Sequence, residues 1–264
     1  MEKRNFLKSL DVEYSSSSTQ RSEFIFGIQS VIEALRAQKE IDKLFIQQRS
    51  QSEALYDIIN LAKEHNVPVQ YVPIQKLNRM TSKNHQGVVA FISPIFFSKL
   101  DHIVQSVFEK GESPLLVVLD RVSDVRNFGA IARTAECAGA HALVIPQKGS
   151  AQLNSDAVKT SSGALHFIPV CREVHLQPSL TYLQSSGLQV VACTEKTDRL
   201  IYELDLSLPT AILIGSEGEG IAPELERYVD HRVCIPMFGR VSSLNASVAT
   251  AIVLYEAVRQ RTAR

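Results

Sequence analysis

The chain has no tryptophan and only four cysteines among its 264 residues. These cysteines, Cys137, Cys171, Cys193 and Cys234, lie far apart and form no Cys-x-x-Cys pair. Their spacing argues against a zinc site and against a disulfide framework, and it is typical of reduced, buried thiols. We therefore predict a cytoplasmic protein that uses no metal ion.

An excess of charge of one sign is also missing, because 28 basic residues balance 28 acidic ones. Any binding of nucleic acid must then come from local basic patches. No apolar run approaches the roughly 18 residues of a spanning helix. Lys3 and Arg4 precede no apolar segment of the kind found in secretory signals. The expectation is a soluble, intracellular protein with no membrane partner.

What the sequence does contain is an alternation of strand and helix patterns, which predicts an α/β fold. We divide it into a disordered tail (1–22), a first unit (23–94), a linker with a short helix (95–113) and a second unit (114–264). Strands are predicted at 24–26, 43–46, 67–72, 88–92, 115–119, 142–145, 167–170, 188–192, 211–214 and 232–235, with helices near 30–38, 53–65 and 248–261. In the second unit, the apolar run "LLVVLD" is typical of a strand buried on both faces, so a parallel sheet is expected there.

Three polar stretches follow predicted strands of the second unit. They are "DRVSDVRNFGAIARTAECAGA" (120–140), "GSEGEGI" (215–221) and "MFGRVSSLN" (237–245). Ligands of open parallel sheets bind beyond the carboxyl ends of the strands. The three stretches together therefore predict one site at this edge.

The stretch "GSEGEGI" has glycines that allow a ligand to approach the backbone closely. Its spacing is neither that of a dinucleotide fingerprint nor that of a phosphate-binding P-loop. Glu217 and Glu219 would repel phosphate, so a neutral or cationic ligand is expected. The alternative is a plain glycine-rich turn before a helix that begins near Pro223.

Two further residue sets leave alternatives open. Asn127 is able to cap a helix, and Arg133 on that helix is either a solvated arginine or a functional one. The last helix is preceded by Ser242, Ser243, Asn245 and Ser247, although a helix needs only one capping residue. One of these four residues is enough to cap the helix, so the function of the other three is left open.

These stretches carry a resemblance to a known family. "NFGAIARTAECAG", "LIGSEGEGI" and "IPMFGRVSSLNASVATAIVLYEA" occur in the order and spacing of the three motifs of the SpoU family of RNA ribose 2′-O-methyltransferases, which belongs to the trefoil-knot (SPOUT) group. "FIFGIQSVIEAL" and "NHQGVVAFI" resemble the small L30e-like domain that binds substrate in many members. Within the family, the likeness is greatest to members that methylate a guanosine of 23S rRNA.

The resemblance implies a C-terminal trefoil-knotted methyltransferase domain, the cofactor S-adenosylmethionine, an RNA substrate and a homodimer. The implied catalytic residues are Asn127, Arg133, Glu217, Ser243 and Asn245. The implied cofactor-binding residues are Thr194, Gly215, Ser216, Gly220, Ile235, Met237 and Leu244. Arg133 matches the family's essential arginine, acting as a general base or, more easily for a guanidinium, as a cationic stabiliser.

Five basic residues are candidates for contact with RNA: Arg79, Lys83, His85, Arg121 and Arg126. For each of them a solvated surface or a structural turn is the alternative. The expected function is methylation of a ribose 2′-hydroxyl in 23S rRNA. The alternatives are a tRNA 2′-O-methyltransferase and a non-catalytic RNA-binding member of the same fold.

Overall fold

The computed structural model describes residues 24–49, 52–241 and 243–263. The predicted tail (1–22) and Ser242 lie outside the described residues. Within the described ranges, no helix is both long and apolar enough to cross a membrane.

The first sheet has four strands and lies within residues 24–92. Its elements are β1 (Phe24–Phe26), α1 (Ile28–Arg36), β2 (Ile41–Gln47), α2 (Glu53–Glu64), β3 (Val69–Val72), α3 (Ile74–Met80) and β4 (Val88–Ile92). The strand order is β1-β4-β2-β3, with β4 antiparallel to both its neighbours and β3 parallel to β2. The four predicted strands and both predicted helices are confirmed to within two residues, whereas α3 was not predicted.

The second sheet has seven strands, and all its neighbouring strands run parallel. Its strands are β5 (Phe97–Ser98), β6 (Leu115–Leu119), β7 (Ala142–Pro146), β8 (Val170–Glu173), β9 (Gln189–Cys193), β10 (Thr210–Ile214) and β11 (His231–Val233). The order across the sheet is β11-β9-β10-β6-β7-β8-β5. The predicted parallel sheet of the second unit is confirmed.

Helices cover both faces of this sheet. They are α4 (Leu100–Glu109), α5 (Val125–Cys137), α6 (Ser155–Thr160), α7 (Leu176–Ser185), α8 (Ala246–Thr262) and 3-10 helices at Ala164–His166, Ile201–Glu203 and Pro223–Tyr228. In β6, Val117 packs with α5 and α8 on one face, whereas Leu116 and Val118 pack with α4 and α7 on the other. The uninterrupted apolar run of β6 is explained by this burial on both faces.

Two predictions of local structure need correction. The short helix predicted within 95–113 is confirmed as α4, but the stretch also joins the second sheet, because β5 pairs with β8 and α4 buries Leu100 and Val104 against that sheet. The strand predicted at 167–170 begins only at Val170. Gly163 at φ +85 leads into a 3-10 helix there, and Phe167 after it is 78% exposed.

The two sheets meet at a contact made by the half-buried Arg172. The Arg172 guanidinium on β8 stacks on the Phe97 ring at 3.9 Å and donates to the carbonyl oxygens of Ile41 and Asp42 at 3.2 Å. The Asp42 side chain is 6% exposed, and its Oδ2 has no hydrogen-bond partner among the described residues. Burial raises the pKa of Asp42 to about 6, although Arg172 and Lys43 oppose the shift.

We predict that Asp42 makes the folded protein less stable as pH rises from about 4 to above 6. The raised pKa means that the folded state holds a proton that the unfolded state has released, so unfolding becomes easier over this interval. A rise from 3.8 to about 6 corresponds to at most about 3 kcal/mol. In Asp42→Asn, urea unfolding at several pH values should show a flatter dependence than in the parent protein. An unchanged slope would contradict the assignment, because Glu40, whose pKa burial also raises, is retained in both proteins.

Candidate functional site

A cavity of about 360 Å³ opens at the carboxyl ends of β9, β10 and β11. All seven residues predicted to bind the cofactor line it, together with Glu217 and Ser243. The seven are Thr194, Gly215, Ser216, Gly220, Ile235, Met237 and Leu244. The polar stretches after β10 and β11 therefore converge on one space, at the sheet edge where the parallel topology places ligand sites.

A cluster of two amides and a carboxylate joins the three polar stretches beside this cavity. The Asn245 amide donates to Glu217 Oε1 at 2.9 Å and to Asn127 Oδ1 at 3.0 Å. The Asn127 amide donates to the same oxygen of Glu217. Two neutral donors thus fix the Glu217 carboxylate without neutralising its charge.

Asn245 explains part of the polar surplus before the last helix. Its Oδ1 accepts from the backbone amides of Ser247 at 2.9 Å and Val248 at 3.4 Å, so Asn245 is the N-cap of α8. The Nδ2 end of the same amide reaches the Glu217 cluster. One residue therefore both caps the helix and joins the candidate site.

Asn127 is not the cap of its helix. Asp124 takes that place and accepts from the amides of Arg126 at 2.8 Å and Asn127 at 2.9 Å. Since Asp124 satisfies these backbone donors, the Asn127 side chain is free to reach Glu217. The prediction that Asn127 caps this helix is therefore wrong. The structure does bring Asn127 together with Glu217 of the candidate site.

The glycine-rich stretch forms a tight hairpin along the cavity. Ser216 and Gly220 exchange backbone hydrogen bonds of 3.1 and 3.0 Å. Gly215 has no space for a side chain, because an added Cβ would lie closer than 3.0 Å to the backbone of Gly220 and Ile221. The turn leads into a 3-10 helix that begins at Pro223, so the turn and the site are not alternatives.

The charge of the lining favours a cationic ligand. Glu195, Glu217 and Glu219 supply three carboxylates, against the single ammonium of Lys196. Cys193 also lines the cavity, and burial raises the pKa of its thiol to about 12, so the thiol stays neutral. Glu195 and Lys196 were not predicted, although their position directly after a strand end is a signal that could have indicated them.

The remaining two predicted catalytic residues stand apart from the amide cluster. Ser243 lines the cavity and is exposed. Arg133 lies exposed on α5, and no hydrogen bond or ion pair joins it to another of the residues that the structure describes. Its guanidinium is therefore available to an external anion.

The predicted RNA-contacting residues fall into two groups. Arg79, Lys83 and Arg126 are exposed. His85 is buried, with Nδ1 accepting from the Gly87 amide at 3.0 Å and Nε2 lying 2.8 Å from Asn78 Oδ1. Both ring nitrogens are thus engaged by neighbouring residues of the protein, so neither is free for a contact with RNA. The Arg121 guanidinium is not unpaired, because it forms ion pairs with Asp120 and Glu219.

No group of three or more potential metal ligands occurs in the described part of the chain.

Comparison with known proteins identifies the family. A model of the SpoU rRNA methylase family matches residues 114–255, and a model of the RNA 2′-O ribose methyltransferase substrate-binding domain matches residues 24–97. The first match alone spans more than half of the chain. The chain therefore belongs to the SpoU methylase family of tRNA and rRNA methyltransferases, as the three motifs predicted.

Individual relatives agree with this assignment. YacO of Bacillus subtilis (strain 168), assigned to the TrmH family of tRNA/rRNA methyltransferases, is 35% identical over 92% of this chain and 98% of its own. The SpoU methyltransferase AviRb of Streptomyces viridochromogenes, solved in complex with AdoMet, has a TM-score of 0.59 and 26% identity, and the match covers 91% of each chain. The A. aeolicus TrmH/SpoU tRNA-modifying enzyme has a TM-score of 0.53 and 30% identity, over 62% of this chain and 85% of that one.

Proposed function

We propose that this protein methylates a ribose 2′-hydroxyl of RNA with S-adenosylmethionine as methyl donor. The observation that carries the proposal is the convergence of Asn127, Glu217 and Asn245 beside the cavity after β9, β10 and β11. The lining fits the donor, because its carboxylates complement a sulfonium cation and its glycine hairpin offers backbone groups to an adenine. AviRb, a member of the same family, was solved with this cofactor.

The chemistry is a displacement at the donor's methyl carbon. When bound, the cofactor would supply an activated methyl group. The ribose oxygen would form the new bond to that carbon as the carbon–sulfur bond breaks, leaving S-adenosylhomocysteine, and the hydroxyl proton would pass to solvent. Alignment of the two reactants is therefore the main task of the protein, and alignment supplies about 7–11 kcal/mol in favourable cases. In our proposal Asn127, Glu217, Ser243 and Asn245 orient the ribose at the mouth of the cavity.

Arg133 completes the proposed mechanism as a cation. A guanidinium titrates above about pH 12, so it stabilises negative charge more readily than it removes a proton. We propose that Arg133 binds the phosphate next to the target ribose and stabilises the developing alkoxide. Its exposure and its lack of a partner within the described ranges support this role.

The proposed substrate is rRNA, and 23S rRNA in particular. Purified full-length protein should be incubated with S-adenosylmethionine carrying a labelled methyl group and with unmodified rRNA and tRNA. Label in an alkali-resistant dinucleotide of rRNA supports the proposal, because a 2′-O-methyl group blocks hydrolysis at that site. Label in tRNA alone favours the tRNA alternative. Cofactor binding and RNA binding without transfer would instead indicate a non-catalytic member of the fold.

We further propose that the first sheet and its helices form the RNA-binding unit, within the boundaries predicted at 23–94. Lys76, Arg79 and Lys83 are exposed on α3 and the turn that follows it. They supply local positive charge in a chain whose formal net charge is zero. The match of this segment to a substrate-binding family supports the division of labour.

The double substitution of Arg79 and Lys83 by alanine is expected to weaken RNA binding and leave cofactor affinity unchanged. Each phosphate contact that is lost should lower the dependence of log affinity on log salt by about 0.7–0.9. Filter binding at several salt concentrations measures both effects. The matched control replaces Lys39 and Lys63, two other exposed lysines of this unit, by alanine. Equal losses in the two double variants would show that Arg79 and Lys83 are not the contact.

A homodimer in the cytoplasm is the proposed working form. Phe238, Val241, Val248 and Tyr255 are large apolar residues that lie 47–95% exposed in the C-terminal segment around α8. Several large apolar residues exposed within one segment are a candidate for a protein interface. Light scattering on the 29.3 kDa chain tests for twice this mass. The trefoil knot implied by the family stays a prediction.

A further inference from the structure

The Arg121 guanidinium makes four hydrogen bonds within the protein, which a solvated surface arginine would not need. Its Nε donates to Asp120 Oδ1 at 3.0 Å, and its Nη2 donates to Asp120 Oδ2 at 3.2 Å and to the Gly220 carbonyl at 3.1 Å. Nη1 donates to the Glu219 carboxylate. All three nitrogens of the guanidinium are thus engaged with the end of β6 and the hairpin after β10.

The backbone around Arg121 supports this arrangement. Arg121 has φ +57, a left-handed conformation that is uncommon for residues other than glycine. Gly149 packs over its side chain, and an added Cβ on Gly149 would lie 3.2 Å from Arg121 Cγ. The structure thus holds the side chain in place at the cost of an unfavourable backbone conformation.

Asp120 anchors the base of the same hairpin. It is 3% exposed, and its Oδ2 accepts from the Ala222 amide at 2.7 Å, while its own amide donates to the Ile214 carbonyl at 2.8 Å. Asp120 therefore hydrogen-bonds to both ends of the segment 214–222, and Arg121 contacts this segment at Glu219 and Gly220. This segment includes the hairpin that lines the cavity.

We propose that Arg121 is a positioning residue for the cofactor, acting through the hairpin 215–220, and not a residue that binds RNA phosphate. The inference rests on the proposed function, because it takes the cavity to be the cofactor site. Arg121 holds the hairpin from the side of Glu219, while Asn127 and Asn245 hold it from the side of Glu217. With both sides fixed, the backbone groups of the hairpin are preorganised for the ligand.

The two glutamates of the hairpin have partners of different charge. Glu219 is ion-paired with Arg121, which also pairs with Asp120, whereas Glu217 has only neutral donors. Loss of Arg121 would leave an extra negative charge near a cationic cofactor, which would favour binding electrostatically. Loss of positioning would instead weaken cofactor binding. The sign of the change in cofactor affinity therefore distinguishes the two effects.

The test is a double-mutant cycle with Arg121→Gln and Glu219→Ala, read by calorimetry in the absence of RNA. The two ligands are S-adenosylmethionine and the product S-adenosylhomocysteine, which lacks the sulfonium charge. We expect Arg121→Gln to weaken both ligands by about tenfold, as the loss of charge-assisted hydrogen bonds implies. The double variant should be no weaker than Arg121→Gln alone, because both residues act through one contact. The KM for the cofactor should rise while kcat at saturating cofactor stays within about twofold.

Two controls keep the outcomes separate. Lys110→Gln removes an exposed cation at the C-cap of α4, outside the site, and should change neither cofactor affinity nor KM. Arg121→Gly removes the side chain and relieves the backbone at φ +57, so it should bind the cofactor as weakly as Arg121→Gln even if it unfolds at a higher temperature. Unchanged or tighter cofactor binding in Arg121→Gln, or a salt-dependent loss of RNA affinity alone, would overturn the proposal. A parent protein that binds neither ligand would overturn the proposed function instead.

Discussion

Arg133→Ala is expected to lower the rate of methyl transfer by at least about 10²–10³-fold, the range for loss of one group that stabilises a developing oxyanion. Cofactor affinity should change little, because Arg133 is not among the residues that line the cavity. Asn127 and Arg133 are six residues apart on α5, about 9 Å along the helix axis. Single-turnover transfer of labelled methyl to RNA measures the rate, and calorimetry measures the cofactor affinity.

The conservative variant Arg133→Lys separates charge from shape. A lysine keeps the positive charge but loses the planar fork that pairs with a phosphate, so a partial rate is expected. Arg36→Ala is the matched control, since Arg36 is an exposed arginine in the last turn of α1. Near-normal turnover in Arg133→Ala would remove this residue from the mechanism.

Gly215→Ala is expected to abolish measurable cofactor binding at concentrations that saturate the parent protein. The added methyl group would lie closer than 3.0 Å to backbone atoms of Gly220 and Ile221, which cannot move aside as a flexible side chain does. The hairpin closed by Ser216 and Gly220 would have to open, and this deforms the cavity wall. Overpacking of this kind also costs about 1–3 kcal/mol of stability.

Gly239→Ala is the matched control, because Gly239 does not line the cavity. A Cβ on Gly239 would meet no atom within 4 Å, so this variant should bind the cofactor and unfold as the parent protein does. Calorimetry with S-adenosylmethionine and thermal unfolding provide the two measurements. Equal cofactor affinity in Gly215→Ala and Gly239→Ala would show that the hairpin does not shape the cofactor site.

Most strands of both sheets were predictable because their signal is local. Apolar runs such as 115–119 and the alternation of strand with helix report burial within a few neighbouring residues. Where burial depends on a distant partner, the prediction was incomplete. The stretch 95–113 was expected to be a linker with a short helix, and α4 is that helix. The pairing of β5 with β8 and the packing of α4 against the second sheet were not predicted, because both depend on residues far away in the chain.

By itself the sequence determined the α/β fold, the three polar stretches and the family they define, since motif spacing is a property of the chain alone. Only the tertiary structure decided how the polar side chains share their hydrogen bonds. Asn245 and Asn127 are 118 residues apart, and Arg121 and Glu219 are 98 apart, so each pair forms only once the ends of distant strands lie side by side. Arg121 differs from expectation for this reason, because acceptors that only the fold brings near engage its donors. His85 is instead engaged by residues close in the chain, Asn78 and Gly87.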